Sequence, residues 1–565
     1  MKLFLLTLVI ILSSSTVSLQ SQGCLPNGIT FNNQQQVDNF ATNYPGCSEI
    51  LGDVVISYGI NNLLGLSQIT AIQGKLTITN NTLNNLTGLN NLTNVGSDTK
   101  ILINSVTSFS GLNNLQSIEG SLEISNCTSL NNISAFESLT TIDGYLLLEN
   151  NGFNEIGGLN NLINLSGDLY IQDNPSLLTL NGFNNLNNIN GNFEIINNDS
   201  LLNLLGLSTL TNIEGNVQIQ GNSSLINFEG LNGLETIKGG VRINGNDALL
   251  NFQGFDNLYS TGVDQFDRFE VENNDNLINF IGLDNIHIIS ELRIANSEFL
   301  ENLQGLNTLE TVGPGNLTIA ATNLTNLEGL DNLRSIGWQF RISGNEELIN
   351  LLGVNNLETI GGGFDIIDNP LLQNFEGLEN LNSISSLYID ACYQLENLSG
   401  FETLVSLNNG TIDITYRNNI TSLNGLQNID YTTINTLQLQ YIDSLSECSL
   451  PNICTYIYNN GTAYITQNAP GCNSKLDILD HCDPLSITDE DQVKKTEIFP
   501  NPTNDIFEIR YPINIENVKV YTTLGNKVKD FKNTAIYNIS DLHPGMYIVV
   551  IETHIGKNVS KLVKN

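Results

Sequence analysis

The feature that most confines this chain is a repeat of about 24 residues, the length of one turn of a solenoid. The residue ahead of a recurrent Leu or Phe falls at Gly65, Gly88, Gly111, Ala135, Gly158, Gly182, Gly206, Gly230 and Gly254. It continues at Gly282, Gly305, Gly329, Gly353, Gly377, Gly400 and Gly425. These sixteen anchors recur at a nearly constant interval, and the one long interval runs from Gly254 to Gly282. Each unit approximates GLxxLxxIxGxLxIxxNxxLxNL. In the unit opening at Gly230, Val241 and Ile243 flank Arg242, a period of two that reads as strand. One such unit cannot bury its own apolar side, so neighbours must stack, and strands in the same slot form a parallel sheet. The expected fold is mainly β: a right-handed parallel β-solenoid of about sixteen repeats of 23–25 residues, plus a small C-terminal β-sandwich. Sixteen layers at a strand spacing of about 4.8 Å make a rod on the order of 75 Å long.

The slot three residues after the second strand apolar holds Asn81, Asn151, Asn174, Asn198, Asn222, Asn246, Asn274, Asn345 and Asn369. Asparagine tolerates left-handed backbone and can satisfy the backbone groups of an adjacent layer, so a stacked amide ladder is expected. Cys127 and Cys392 occupy the same slot. They lie about 50 Å apart, too far to pair, and read as buried structural thiols.

The ends of a solenoid expose unpaired edges and need caps. Cys24 and Cys47 bracket a short amphipathic segment (Asn33, Val37, Phe40, Tyr44). Cys448, Cys454, Cys472 and Cys482 follow the last repeat. All six are disulfide candidates in an oxidising compartment, and the four C-terminal cysteines allow three pairings that the sequence leaves open. The first residues fit an export signal: Lys2, an apolar run Leu3–Leu12, then small residues. That run is too short to span a bilayer and no second one follows, so no membrane-spanning segment is expected in the mature chain. The net charge is −37, but it is uneven. The stretch 491–565 holds ten of the 21 basic residues against eight of the 58 acidic ones, which marks a domain boundary. So acidic a body repels nucleic acid and anionic lipid. The expected organisation is a signal peptide (1–22), an N-terminal disulfide cap (23–49), repeats (50–446), a cysteine cap (447–484), a linker (485–496) and a terminal domain (497–565).

Two resemblances rest on these residues. The "Gly-x-Leu-x-Ile-x-x-Asn" strand with its following "Leu-x-Gly-Leu" resembles the receptor L domain, a relative of leucine-rich repeats, over about residues 50–445. In animal receptors such domains bind protein ligands, a use that does not transfer by fold alone. The tail resembles a type A sorting domain of the type IX secretion system of Bacteroidetes. The matching segments are Ile498-Phe499-Pro500-Asn501-Pro502, Val518-Lys519-Val520-Tyr521 with Leu524-Gly525, Leu542-His543-Pro544-Gly545-Met546-Tyr547-Ile548, and Lys561-Leu562-Val563-Lys564. That resemblance implies handling by the type IX machinery and its sorting peptidase, with Pro500, Asn501, Pro502, Gly525, Gly545 and Tyr547 as the sorting signal. It implies delivery to the outer surface of a Gram-negative cell or release, with the tail cut away in the linker.

Chemistry is sparse. Of four histidines (His287, His481, His543, His554), only His287 lies in the repeats. No HExxH, phosphate-binding loop, GxSxG elbow or paired CxxC occurs. No catalytic residues, cofactor or metal are therefore expected. Acidic turns such as Asn273-Asn274-Asp275 read as solvated, because no spaced calcium loop accompanies them.

The outward strand column is the largest regular surface. By layer it reads Thr77, Leu102, Glu123, Leu147, Tyr170, Glu194, Gln218, Arg242, Glu270, Arg293, Thr318, Arg341, Asp365, Tyr388, Asp413 and Gln438. Arg242, Arg293 and Arg341 alternate in it with Glu270 and Asp365. They read either as a ladder of exposed ion pairs or as a ligand patch whose forked donors suit carboxylate or sulfate groups. Trp338, the one tryptophan, stands where most units carry a glycine and reads as filling a corner or stacking on a ligand. The unit near it with extra residues, around Ser260 to Asp267, predicts a protruding loop. The expected function is a secreted or surface-anchored recognition or adhesion protein, binding an extracellular protein or glycan through the solenoid face. A polysaccharide-active β-helix enzyme and a purely structural surface component are the alternatives.

Overall fold

A computed structural model describes residues 23–482 and 497–565, apart from 81, 263, 265, 266, 417, 418, 511–514, 533, 554 and 555. The expected export segment, the linker 485–496, Asn81 and His554 lie outside the described residues. The chain is mainly β, and its body is a parallel β-solenoid of about 18 turns. One face is a 19-stranded parallel sheet running from Ile29–Phe31 through Val54–Ile56 and every repeat to Thr462–Thr466. A second face carries two-residue strands, five in one sheet and nine in the next. The long sheet therefore reaches into both cysteine-bearing ends.

One unit shows why these residues stack. Leu231, Leu234, Ile237, Val241, Ile243, Leu249 and Phe252 are all buried. Each contributes roughly 1.5–3 kcal/mol of apolar transfer, but only when the layers above and below close over it. Phenylalanines pack from layer to layer, with Phe252 stacked on Phe280 at 5.0 Å. The anchor glycines answer to the backbone: Gly230 has φ of +116°, and a Cβ there would strike the carbonyl of Leu204 in the preceding layer. Gly65 and Ala135 depart from this, because their turns are the 3-10 helices Leu64–Leu66 and Ser134–Phe136.

The expected amide ladder is present and buried from Asn151 to Asn274 and again at Asn345 and Asn369. Each side-chain oxygen accepts the backbone N–H of the residue in the same slot one layer back, from Asn198 to Asn222 at 3.0 Å, from Cys127 to Asn151 and from Thr322 to Asn345. In the first repeat Asn80 is fully buried, donates to the carbonyls of Ser57 at 2.8 Å and Ile60 at 3.1 Å in the layer before, and accepts the N–H groups of Thr82 and Leu83 in its own turn. Cys127 and Cys392 fill the same slot as buried thiols outside any disulfide. Burial pushes them up to about 11 and about 12, so both stay protonated.

Both ends are closed by helix and disulfide. At the N-terminus the Asn33 side chain caps the helix Gln34–Asp38, Val37 and Phe40 are buried, and Cys24 bonds Cys47. At the C-terminus helices Pro451–Tyr458 and Lys475–His481 flank the last strand, joined by Cys448–Cys472 and Cys454–Cys482. The terminal domain has its own core around Phe507, Val518, Val520, Tyr537 and Val549 between a three-stranded and a four-stranded sheet.

Candidate functional site

The outward column of the long sheet follows the expected order with one correction. Thr77 pairs with Lys100, and Lys100 with Glu123, so Lys100 and not Leu102 stands in the column. In that strand Thr99 and Ile101 face inward, so the apolar alternation is displaced. Arg242 lies opposite Glu270, Glu270 opposite Arg293, and Arg341 opposite Asp365, as the repeat spacing predicts.

Around Arg242 the sheet surface is hollowed. In the neighbouring row Gly240 lies between Asn216 and Arg268, so close to the Arg268 backbone that a Cβ there would stand 3.0 Å from its carbonyl oxygen. The depression, about 270 Å³, is floored by Val217 and Val241 and walled by Glu194, Gln218, Arg242, Arg268 and Glu270. Arg242 Nε reaches Glu270 at 3.3 Å, and Arg268 reaches Glu291 at 2.6 Å and Glu270 at 3.6 Å. Arg293 pairs with Glu272, one row across from its expected partner. The carboxylates lie low, Glu270 with 13% of its side chain exposed, while half of the Arg242 side chain is open to solvent. Burial and the nearby Asp168 hold Glu194 above its ordinary range.

Arg242 and Glu270 thus meet in one hollow, together with Arg268 and Glu194, which reading a single column did not single out. Arg268 follows the extra residues of the longest unit. Arg341 and Asp365 lie layers further along, where burial pushes the Asp365 carboxyl up against the opposing pull of Arg341. Trp338 does not fill a corner: it is 62% exposed, because Ile336 and Phe340 already occupy the interior on either side of it. A second depression, about 310 Å³, lies near the N-terminal end of the same sheet. There Lys75 pairs with Asp98 at 2.7 Å and Lys100 with Glu123 at 2.6 Å, beside Tyr145. His287 is on the other face, stacked on Tyr259 at 4.8 Å. Among the described residues no group of three or more His, Cys, Asp or Glu side chains could hold a metal ion, and no helix is long and apolar enough to cross a membrane.

The expected sorting residues have structural work in the terminal domain. The Asn501 side chain donates to the carbonyl of Lys561 at 2.7 Å and accepts the N–H of Val563 at 2.9 Å, which pins the last strand to the Pro500–Pro502 turn. Tyr547 donates to the carbonyl of His543 at 2.7 Å, and Gly525 turns the chain with φ of +82°.

No curated relative matches this chain. Residues 100–180 match the receptor L domain, and residues 497–565 match the secretion system C-terminal sorting domain. The chain is a β-solenoid with a receptor L domain and a type IX sorting tail, exported to the cell surface or extracellular space of a Bacteroidetes bacterium.

Proposed function

We propose that the solenoid is an extracellular recognition or adhesion module that binds an extended protein or glycan partner bearing acidic groups along its long sheet. The observation that carries this reading is the hollow at Gly240, where two exposed guanidinium groups rise over half-buried carboxylates on a chain of net charge −37. Arg242, Arg293 and Arg341 repeat every second layer, about 10 Å, which suits successive anionic groups on an extended ligand. Trp338 adds an exposed indole beside the same strands. The acidic body would repel such a ligand elsewhere, so the column provides register as well as affinity.

The test is binding of the tail-less chain to arrays of carboxylated and sulfated glycans and to acidic peptides. Replacing Arg242, Arg293 and Arg341 together with Gln should weaken binding at least tenfold and flatten its salt dependence, with little change in melting because exposed pairs stabilise weakly. Unchanged binding in the triple variant would return the column to a ladder of solvated ion pairs.

A further inference from the structure

We propose that Tyr416, Ala391 and Asp368 form a slot for an alkylammonium group, either the side chain of a lysine or a quaternary ammonium headgroup. The site lies far along the solenoid from the Gly240 hollow and is independent of the arginine column.

From Asn126 onward the position that closes each long strand has left-handed backbone, and most layers fill it with Asn, Asp or Gly, which adopt that conformation readily. Tyr416 and Tyr441 occupy it with φ of +47° and +61°, and Ala391 with +54°. A bulky side chain here is conformationally costly, and such strain persists where something else is gained.

Side chains in this column touch from one layer to the next. Asn150 donates to Asn126 at 2.7 Å and Asn197 to Asp173 at 2.9 Å. Tyr416 stacks on Tyr441 with ring centroids 4.7 Å apart and planes 6° from parallel. One ring therefore takes up one layer. The strand register places Ala391 in the layer before Tyr416 and Asp368 in the layer before that. Ala391 leaves that layer one ring short, and among the described residues Tyr441 is the one aromatic stacked on Tyr416, whose side chain stays half exposed. The slot has an aromatic face on one side and a carboxylate on the other.

The chemistry favours a compact cation. An aromatic face attracts positive charge, and a carboxylate opposite it would be left unpaired by an apolar ring. Asp368 and Asp390 both act on this layer: burial pushes the Cys392 thiol up, and these two carboxylates push it further. The net charge of −37 would draw cationic partners toward the surface.

The test uses the intact chain titrated by NMR with tetramethylammonium, Nα-acetyl-lysinamide and neutral cellohexaose. Both cations should bind, and binding should weaken with added salt. Tyr416→Asn and Ala391→Tyr should each reduce binding at least tenfold, and Asp368→Asn should reduce it severalfold. Tyr416→Asn places a residue suited to this backbone, so it should melt no lower than the parent, which separates a ligand role from a packing role. Tighter binding of tetramethylammonium would assign a quaternary headgroup, and tighter binding of the lysinamide would assign a lysine side chain. Absence of cation binding, equal binding by all variants, or cellohexaose binding as tightly as the cations would overturn the slot.

Discussion

The side-chain oxygen of Asn246 accepts the backbone N–H of Asn222 at 3.1 Å, and the Asn246 amide donates to the carbonyl of Ile219 at 2.9 Å. One side chain thus satisfies a donor and an acceptor that the layer before it would otherwise bury unpaired. Asn222 makes the equivalent contacts to Asn198 and Ile195. Replacing Asn222 with Ala should strand both groups and cost about 2–6 kcal/mol, since each buried unsatisfied group costs about 1–3 kcal/mol. Chemical denaturation with an unchanged m-value would measure this. A loss below about 0.5 kcal/mol, the size of an ordinary surface substitution, would mean that water or a shifted neighbour satisfies the groups.

The half-buried carboxylates of the solenoid and Glu552 of the terminal domain should respond oppositely to acid. Burial raises Glu194, Asp365 and Asp413, so each holds its proton more tightly in the folded solenoid than in the unfolded chain. Stability is then lost as pH rises from the ordinary carboxylate range, about 4, through the raised folded values, and regained on acidification. In the terminal domain Lys519 and Lys557 hold Glu552 down to about 2, so its contribution is present above the ordinary range and lost as pH falls toward 2. Calorimetry at falling pH should show these solenoid carboxylates adding to melting stability as the pH drops toward about 4, with the Glu552 contribution to the terminal domain fading only below that. A solenoid contribution from them that falls on acidification toward about 4 would refute the sign.

Reduction of the disulfides should fray the rod from its ends. A terminal layer is buried against one neighbour only, and the closures at Cys24–Cys47, Cys448–Cys472 and Cys454–Cys482 replace the missing one. Under reducing conditions hydrogen exchange should quicken first near residues 50–75 and 425–466. Earlier opening of the central layers would show that the caps carry little of the stability.

The sorting tail should be absent from the delivered protein. Its last strand is tied to the Pro500–Pro502 turn through Asn501, so the domain is closed on itself and cleavage is expected ahead of it, within residues 485–496. Mass spectrometry of the secreted form should end in that interval, and removing residues 497–565 should leave the protein in the periplasm. Peptides extending through Lys564 in the surface form would refute the cleavage.

The sequence alone determined the periodic architecture, the buried asparagine slot, the capped ends and the sorting tail. Each is written within one unit or one short segment, through a left-handed glycine, a strand of period two, or an asparagine at a set offset. Tertiary structure decided whatever depends on neighbours one layer apart, which are a whole repeat distant along the chain. The alternation in Thr99-Lys100-Ile101-Leu102 admits two readings, and only pairing with Thr77 and Glu123 turned Lys100 outward. The hollow at Gly240 exists because Arg242, Arg268 and Glu194 are brought around it from three layers. Likewise the cysteines of the C-terminal cap could pair in three ways until their helices packed, and Tyr416 meets Tyr441 only through the stacking of turns. A repeat specifies its own layer through local backbone preference, whereas a surface site is assembled from the register between layers.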